Sequence, residues 1–208
     1  MTDSNVNPVG PSDSTSSSLL VRVMAHEQAA WTRFVDLYAP LVYRWCRQAG
    51  VQPEDAEDVG QEVFRAVARK IQDFQHGGPG QTFRGWLRTI TRNKVADLMR
   101  AYRAKGRGAG WEENYLAQIP AEESAADELS AADENKLVVR RAVELLRAEF
   151  EARTWQAFWR VTVDGDCPDD VARELGMTVN AVYLAKSRIL RRLRAEFAGL
   201  IEIEAGAP

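Results

Sequence analysis

Apolar residues recur three and four positions apart along almost the whole chain, and glycines and prolines cut that pattern into segments. A 3.6-residue period with no stretch of strict alternation leaves helix as the only regular structure the sequence supports. Leu19, Leu20, Val23 and Met24 form one short apolar face, which Ser18 can cap. Trp31, Phe34, Val35, Leu37, Tyr38, Leu41, Val42 and Trp45 form the next, closed by Gly50. Pro53 then stands where a helix tolerates proline, at its first position, ahead of Ala56, Val59, Val63, Phe64, Val67 and Ile71. His76-Gly77-Gly78-Pro79-Gly80 cannot continue a helix, and Thr82 can cap a new one whose apolar face is Phe83, Leu87, Ile90 and Leu98. After Gly106, Gly108 and Gly110 the pattern lapses, and it resumes near Lys136 with Leu137, Val138, Val143, Leu145, Leu146 and Phe150, then Trp155, Phe158 and Trp159. The expectation is an all-α protein of two helical domains joined by a flexible acidic linker. Its divisions are a disordered tail over residues 1–18, a first domain over 19–105, the linker over 106–135, a second domain over 136–200 and a C-terminal tail over 201–208.

Charge sharpens this division. The formal net charge is only −3, but it is unevenly spread. Residues 54–62 hold five acids and no base, residues 65–107 hold eleven bases and two acids, and residues 111–135 hold eight acids and no base. Asp55, Asp58 and Glu62 fall on one side of their helix, where they suit a basic protein partner. Arg84, Arg88 and Arg92 follow one another at four-residue steps, with Trp86 between the basic and apolar faces. A cationic stripe bordered by an aromatic and preceded by an irregular loop suits single-stranded nucleic acid, whose phosphates track the cations while its bases stack.

The C-terminal part carries a second signal. Asp169 and Asp170 favour a helix start, Gly176 supplies a left-handed turn residue and Thr178 caps the next helix. Ala172, Gly176 and Val182 have the spacing of a DNA-binding helix-turn-helix. With Val182, Ile189, Leu193 and Phe197 buried, Asn180, Ala181, Leu184, Arg188 and Arg191 face outward. The basic end suits phosphates and the N-terminal end base edges.

No run approaches the roughly 18 apolar residues of a membrane span, and no basic segment precedes an apolar one near the N-terminus. Cys46 and Cys167 lie far apart, and His26 and His76 are the only histidines. A cytoplasmic protein without stable membrane insertion, metal or other cofactor, or catalytic residue is expected. A phosphohydrolase using Asp55, Asp58 and Glu62 with a divalent metal is disfavoured, because no histidine joins them and no phosphate-cradling glycine motif follows a strand.

The run Asp55-Ala56-Glu57-Asp58-Val59-Gly60-Gln61-Glu62-Val63-Phe64 resembles region 2 of sigma factors of the sigma-70 family. Phe83-Arg84-Gly85-Trp86-Leu87-Arg88-Thr89-Ile90-Thr91-Arg92-Asn93 resembles its continuation in the extracytoplasmic-function (ECF) group, and the helix-turn-helix resembles region 4. The resemblance implies a dissociable transcription initiation factor. Asp55, Asp58, Gln61 and Glu62 would dock on the β′ clamp helices of core RNA polymerase. Residues 75–82 would hold a base flipped from the non-template strand of the minus-ten element. Arg84, Trp86, Arg88, Arg92 and Asn93 would bind the adjacent single strand. Thr178, Asn180, Ala181, Leu184, Arg188 and Arg191 would meet duplex minus-thirty-five DNA, with the apolar side of region 4 on the β flap. An anti-sigma factor is the further partner implied. Where the family often has Lys-Ser-Arg after the valine, this chain has Tyr183, Leu184, Ala185 and Lys186, so Arg188 and Arg191 are expected chiefly as phosphate contacts. The alternative is a helix-turn-helix regulator acting without core polymerase.

Overall fold

The computed structural model describes residues 18–74, 82–105 and 125–202, apart from the side chains of 125–130. The expected tail before residue 18, most of the glycine loop, the linker up to residue 124 and the last six residues lie outside this set. Eight α-helices follow one another among the described residues, and no strand: α1 (Leu19–Met24), α2 (Gln28–Gln48), α3 (Pro53–Lys70), α4 (Phe83–Ala104), α5 (Ala125–Leu146), α6 (Ala152–Trp159), α7 (Pro168–Leu175) and α8 (Val179–Glu196). None of the described helices is long and apolar enough to cross a membrane.

Local chemistry sets the helix ends. Pro53 opens α3 with Glu54 and Asp55 in the first turn, where acids meet the positive end of the helix dipole. Thr82 accepts a hydrogen bond from Gly85 N–H at 3.0 Å and so caps α4. Ser18 occupies the capping position of α1, but its side chain makes no such bond. Helix α5 is already helical at Ala125, so residues 125–135 of the expected linker belong to it. That stretch is rich in alanine, with glutamate and leucine, all good helix formers.

The first unit packs α2, α3 and α4 around an aromatic centre. Phe83 lies 5.5 Å from Phe34, 5.3 Å from Tyr38, 5.0 Å from Phe74 and 5.3 Å from Trp86, measured between ring centres. Along α4 the fully buried positions after Ile90 are Thr91, Val95 and Met99, whereas Leu98 sits at the margin. The buried face of α4 therefore turns further than Phe83, Leu87 and Ile90 alone indicate, because α4 has neighbours on two sides.

The second unit does not stand apart. Val138, Ala142, Val143 and Leu146 of α5, with Ile189, Leu193, Phe197 and Leu200, join the apolar cluster of the first unit. A smaller cluster of Ala157, Val171, Ala172, Val182 and Ala185 holds the helix-turn-helix. Proline 40 inside α2 adds a polar tie to this seam. It has no N–H to give to the carbonyl of Asp36, one turn back, and Arg141 Nε of α5 donates to that carbonyl instead at 3.0 Å. Tyr38 at the centre of α2 donates its hydroxyl to the carbonyl of Leu200, and burial holds that phenol well above its ordinary pKa. Cys46, about two turns further along α2, is also buried, and desolvation pushes its thiol up to about 12.

Phe83→Ala removes the ring on which four others converge. It is expected to destabilise the protein by about 3–5 kcal/mol, read as a shift of the urea midpoint followed by tryptophan fluorescence.

Candidate polymerase and nucleic-acid interfaces

The acidic side of α3 divides into exposed and engaged residues. Asp58 and Gln61 are exposed, with Glu54 and Glu57 beside them. Asp55 is half-buried and accepts a hydrogen bond from the Tyr102 hydroxyl at 2.6 Å, which ties the start of α3 to the end of α4. Glu62 pairs with Arg65 one turn along, and Gln61 accepts from the same guanidinium at 3.3 Å. Of the four residues expected at a docking surface, Asp58 and Gln61 face solvent most openly. Asp55 also holds the fold.

On α4 the expected cationic stripe meets a partner within the chain. Arg84 and Arg88 are only 14% and 19% exposed, because α5 covers them. Their common partner is Glu134 of α5, which has no exposed surface. Trp45 Nε1 of α2 donates to Glu134 Oε1 at 2.7 Å. Arg84 Nε stands 4.0 Å and Arg88 Nη1 3.8 Å from Glu134 Oε2, and the Arg88 guanidinium lies 5.9 Å from the Trp45 ring centre. Arg84 also reaches Glu202 at 3.7 Å. These two arginines therefore do not line the open stripe that their spacing suggested. Arg92 is half-buried and Asn93 exposed further along α4. Trp86 is half-buried with its ring against Phe74 and Phe83, each 5.3 Å away, so it packs at the edge of the core.

A second buried carboxylate closes the other end of the seam. Glu196 of α8, 1% exposed, is 2.9 Å from Arg192, 3.4 Å from Arg22 of α1 and 3.5 Å from Arg33 of α2. Glu149 bridges Arg33 at 2.9 Å and Arg192 at 2.7 Å. Hydrogen bonds and opposite charge hold the Arg192 guanidinium above its ordinary pKa against the opposing effect of burial.

The helix-turn-helix forms as its spacing requires. Gly176 ends α7 at φ 61°, a left-handed conformation that disfavours a Cβ. Thr178 accepts from Ala181 N–H at 3.1 Å and starts α8. Asn180, Leu184, Arg188 and Arg191 are exposed and Ala181 half-exposed on the outer face of α8. Tyr183 is 54% and Leu184 47% exposed, two adjacent large apolar side chains at the surface. Tyr183 borders a shallow groove with Lys186, Ser187, Leu190, Arg191 and Arg194. Tyr183 was not among the expected contacts, although its place one residue before Leu184 puts it on the same outward arc.

Glu134 was also missed. It was counted within an acidic run, yet its four-residue steps to Val138, Ala142 and Leu146 place it on the buried line of α5.

Comparison with known proteins bears on both units. The family pattern described as Sigma-70 region 2 matches residues 34–105, which span α2 to α4. The ECF RNA polymerase sigma factor SigE of Mycolicibacterium smegmatis is 29% identical over 185 residues, covering 88% of this chain and 67% of that protein. SigD of Mycobacterium tuberculosis, another ECF RNA polymerase sigma factor, is 26% identical over 86% of this chain and 82% of its own length. A solved structure of CnrH in complex with the cytosolic domain of CnrY covers 85% of this chain and 93% of that one, at 22% identity and a TM-score of 0.35. The first unit thus matches Sigma-70 region 2, and the chain is similar across both units to ECF RNA polymerase sigma factors.

Proposed function

We propose that this chain is an ECF sigma factor that joins core RNA polymerase through the exposed acids of α3, binds duplex DNA through the outer face of α8 and holds the opened strand along α4. The division of surfaces carries this reading: an exposed acidic helix face, an exposed helix-turn-helix reading face and a cationic helix lie on separate elements of one chain. A helix-turn-helix regulator acting alone has use for the second surface only, and it leaves the acidic face of α3 and the arginines of α4 unexplained.

The roles follow from exposure and charge. Asp58 and Gln61 present the docking face to a basic helical partner, the β′ clamp helices, with Glu62 and Asp55 at its border. Arg188 and Arg191 neutralise phosphates of the minus-thirty-five duplex, while Asn180, Ala181 and Leu184 lie nearer the base edges. Leu184 is suited to the methyl group of a thymine. The Thr178 hydroxyl is already engaged in capping α8, which fixes the angle at which that helix meets the groove. Arg92 and Asn93 track the non-template strand of the minus-ten element, with Arg84 and Arg88 beside them once α5 is withdrawn. Residues 75–81, between Phe74 and Thr82 in the sequence, would receive a flipped base. The chemistry required is binding and strand separation, with no covalent step, so no catalytic residue is assigned. An anti-sigma factor would act by covering these faces.

Asp58→Lys is expected to weaken binding to core polymerase by tenfold or more and to leave the thermal midpoint nearly unchanged, since exposed helix-face charges contribute only about 0–1 kcal/mol to stability. Fluorescence anisotropy of the labelled protein against core polymerase checks this. Equal affinity of parent and variant removes Asp58 from the docking surface.

Arg188→Ala is expected to weaken duplex binding by the holoenzyme at every sequence tested, and to lower the slope of log affinity against log salt by about 0.9, the share of one phosphate contact. An unchanged slope places Arg188 away from the DNA backbone.

A further inference from the structure

Trp45, Arg84 and Arg88 make a notch that Glu134 fills. Three donors converge there: an indole N–H from α2 and two guanidinium groups from α4. Glu134 answers them incompletely. Its Oε1 accepts from Trp45 at 2.7 Å, but its Oε2 has no hydrogen-bond partner, and neither has Arg88 Nε. The guanidinium nitrogens at 3.8 and 4.0 Å neutralise the carboxylate without hydrogen-bonding it. Burying a carboxylate is costly, and ion pairs at these distances recover only part of that cost. The notch is thus a preformed anion site with an imperfect occupant.

A phosphodiester carries the same single negative charge and more acceptor oxygens, and planar guanidinium groups suit it well. We propose that the notch of Trp45, Arg84 and Arg88 is a phosphate-binding site for single-stranded DNA, and that Glu134 occupies it in place of phosphate while the two halves of the chain are closed. The inference rests on the proposed role of α4 in holding the opened strand, and it adds Trp45 and a competitor built into the chain. The same contact that joins the halves blocks the site. DNA binding by the free protein therefore carries the cost of opening the seam, and apparent affinity falls by the fraction of open molecules. The outer face of α8 stays exposed in the closed form, so the block falls on single-strand binding.

The test is binding of the full chain, without polymerase, to a short fluorescein-labelled single-stranded DNA of mixed sequence. Glu134→Gln keeps an acceptor for Trp45 and removes the charge. It is expected to bind on the order of tenfold more tightly than the parent, as release of a closed state predicts. Asp133→Asn removes the same charge from an exposed neighbouring position, 62% accessible, and is expected to change affinity less than twofold. Tyr38→Phe removes the hydroxyl given to Leu200 across the seam, leaves the notch intact and is expected to tighten binding by a smaller factor. It carries the test if Glu134→Gln fails to fold by circular dichroism. Adding Arg88→Ala to Glu134→Gln is expected to abolish the gain.

If Glu134→Gln and Tyr38→Phe bind no more tightly than the parent, the masking is overturned, while a loss on Arg88→Ala in the parent keeps the single-strand role of α4. An equal gain from Asp133→Asn also overturns the masking, since it reduces the effect to net charge. If neither Arg84→Ala nor Arg88→Ala changes binding in any background, the single-strand role of α4 fails as well.

Discussion

A carboxylate shut off from water must be neutralised where it lies, and Glu134 can be buried only because α2 supplies an indole N–H and α4 two guanidinium groups at the same point. That requirement fixes where α5 lies against the first unit. Once it is placed there, Val138, Ala142 and Leu146 fall about one, two and three turns on against the apolar face of α2, and Arg141 meets the carbonyl that Pro40 leaves without a donor. At the far end Glu196 repeats the device with Arg22, Arg33 and Arg192. Apolar burial supplies most of the seam's attraction. The two buried acids set its register, because a shift by one turn would leave each of them buried without a cation.

This seam leaves the proposed binding surfaces of the chain unequally available. The outer face of α8 and the acidic face of α3 look outward, whereas the first two arginines of α4 lie beneath α5. The element that would bind an opened strand is therefore the one that the closed chain keeps covered, and the element that would bind duplex is the one it leaves open.

Much of the fold was legible because it rests on local rules. Thr82 and Thr178 cap the helices they were expected to cap, Pro53 opens α3, and Gly176 takes the left-handed turn between α7 and α8. Val182, Ile189 and Leu193 of α8 and Phe197 at its end are buried as expected, and Ala185 and Glu196 join them. What escaped depends on partners distant in sequence. Arg84 and Arg88 read as a solvent-facing stripe because nothing local shows that α5 will cover them. Asp55 read as a free acid because Tyr102 lies at the far end of another helix. Glu134 was hidden by its acidic neighbours, although its spacing to Val138 marked the line it occupies. Pro40 inside α2 gave no sign that a side chain from α5 would replace its missing donor.

The most direct measurement of the central claim is permanganate reactivity of thymines in a minus-ten element, with core polymerase and either the parent or the double variant Arg84→Ala/Arg88→Ala. Both proteins are expected to protect the minus-thirty-five duplex, whereas the thymines become strongly reactive only with the parent. Equal thymine reactivity with the double variant would show that the arginines beneath Glu134 take no part in holding the opened strand.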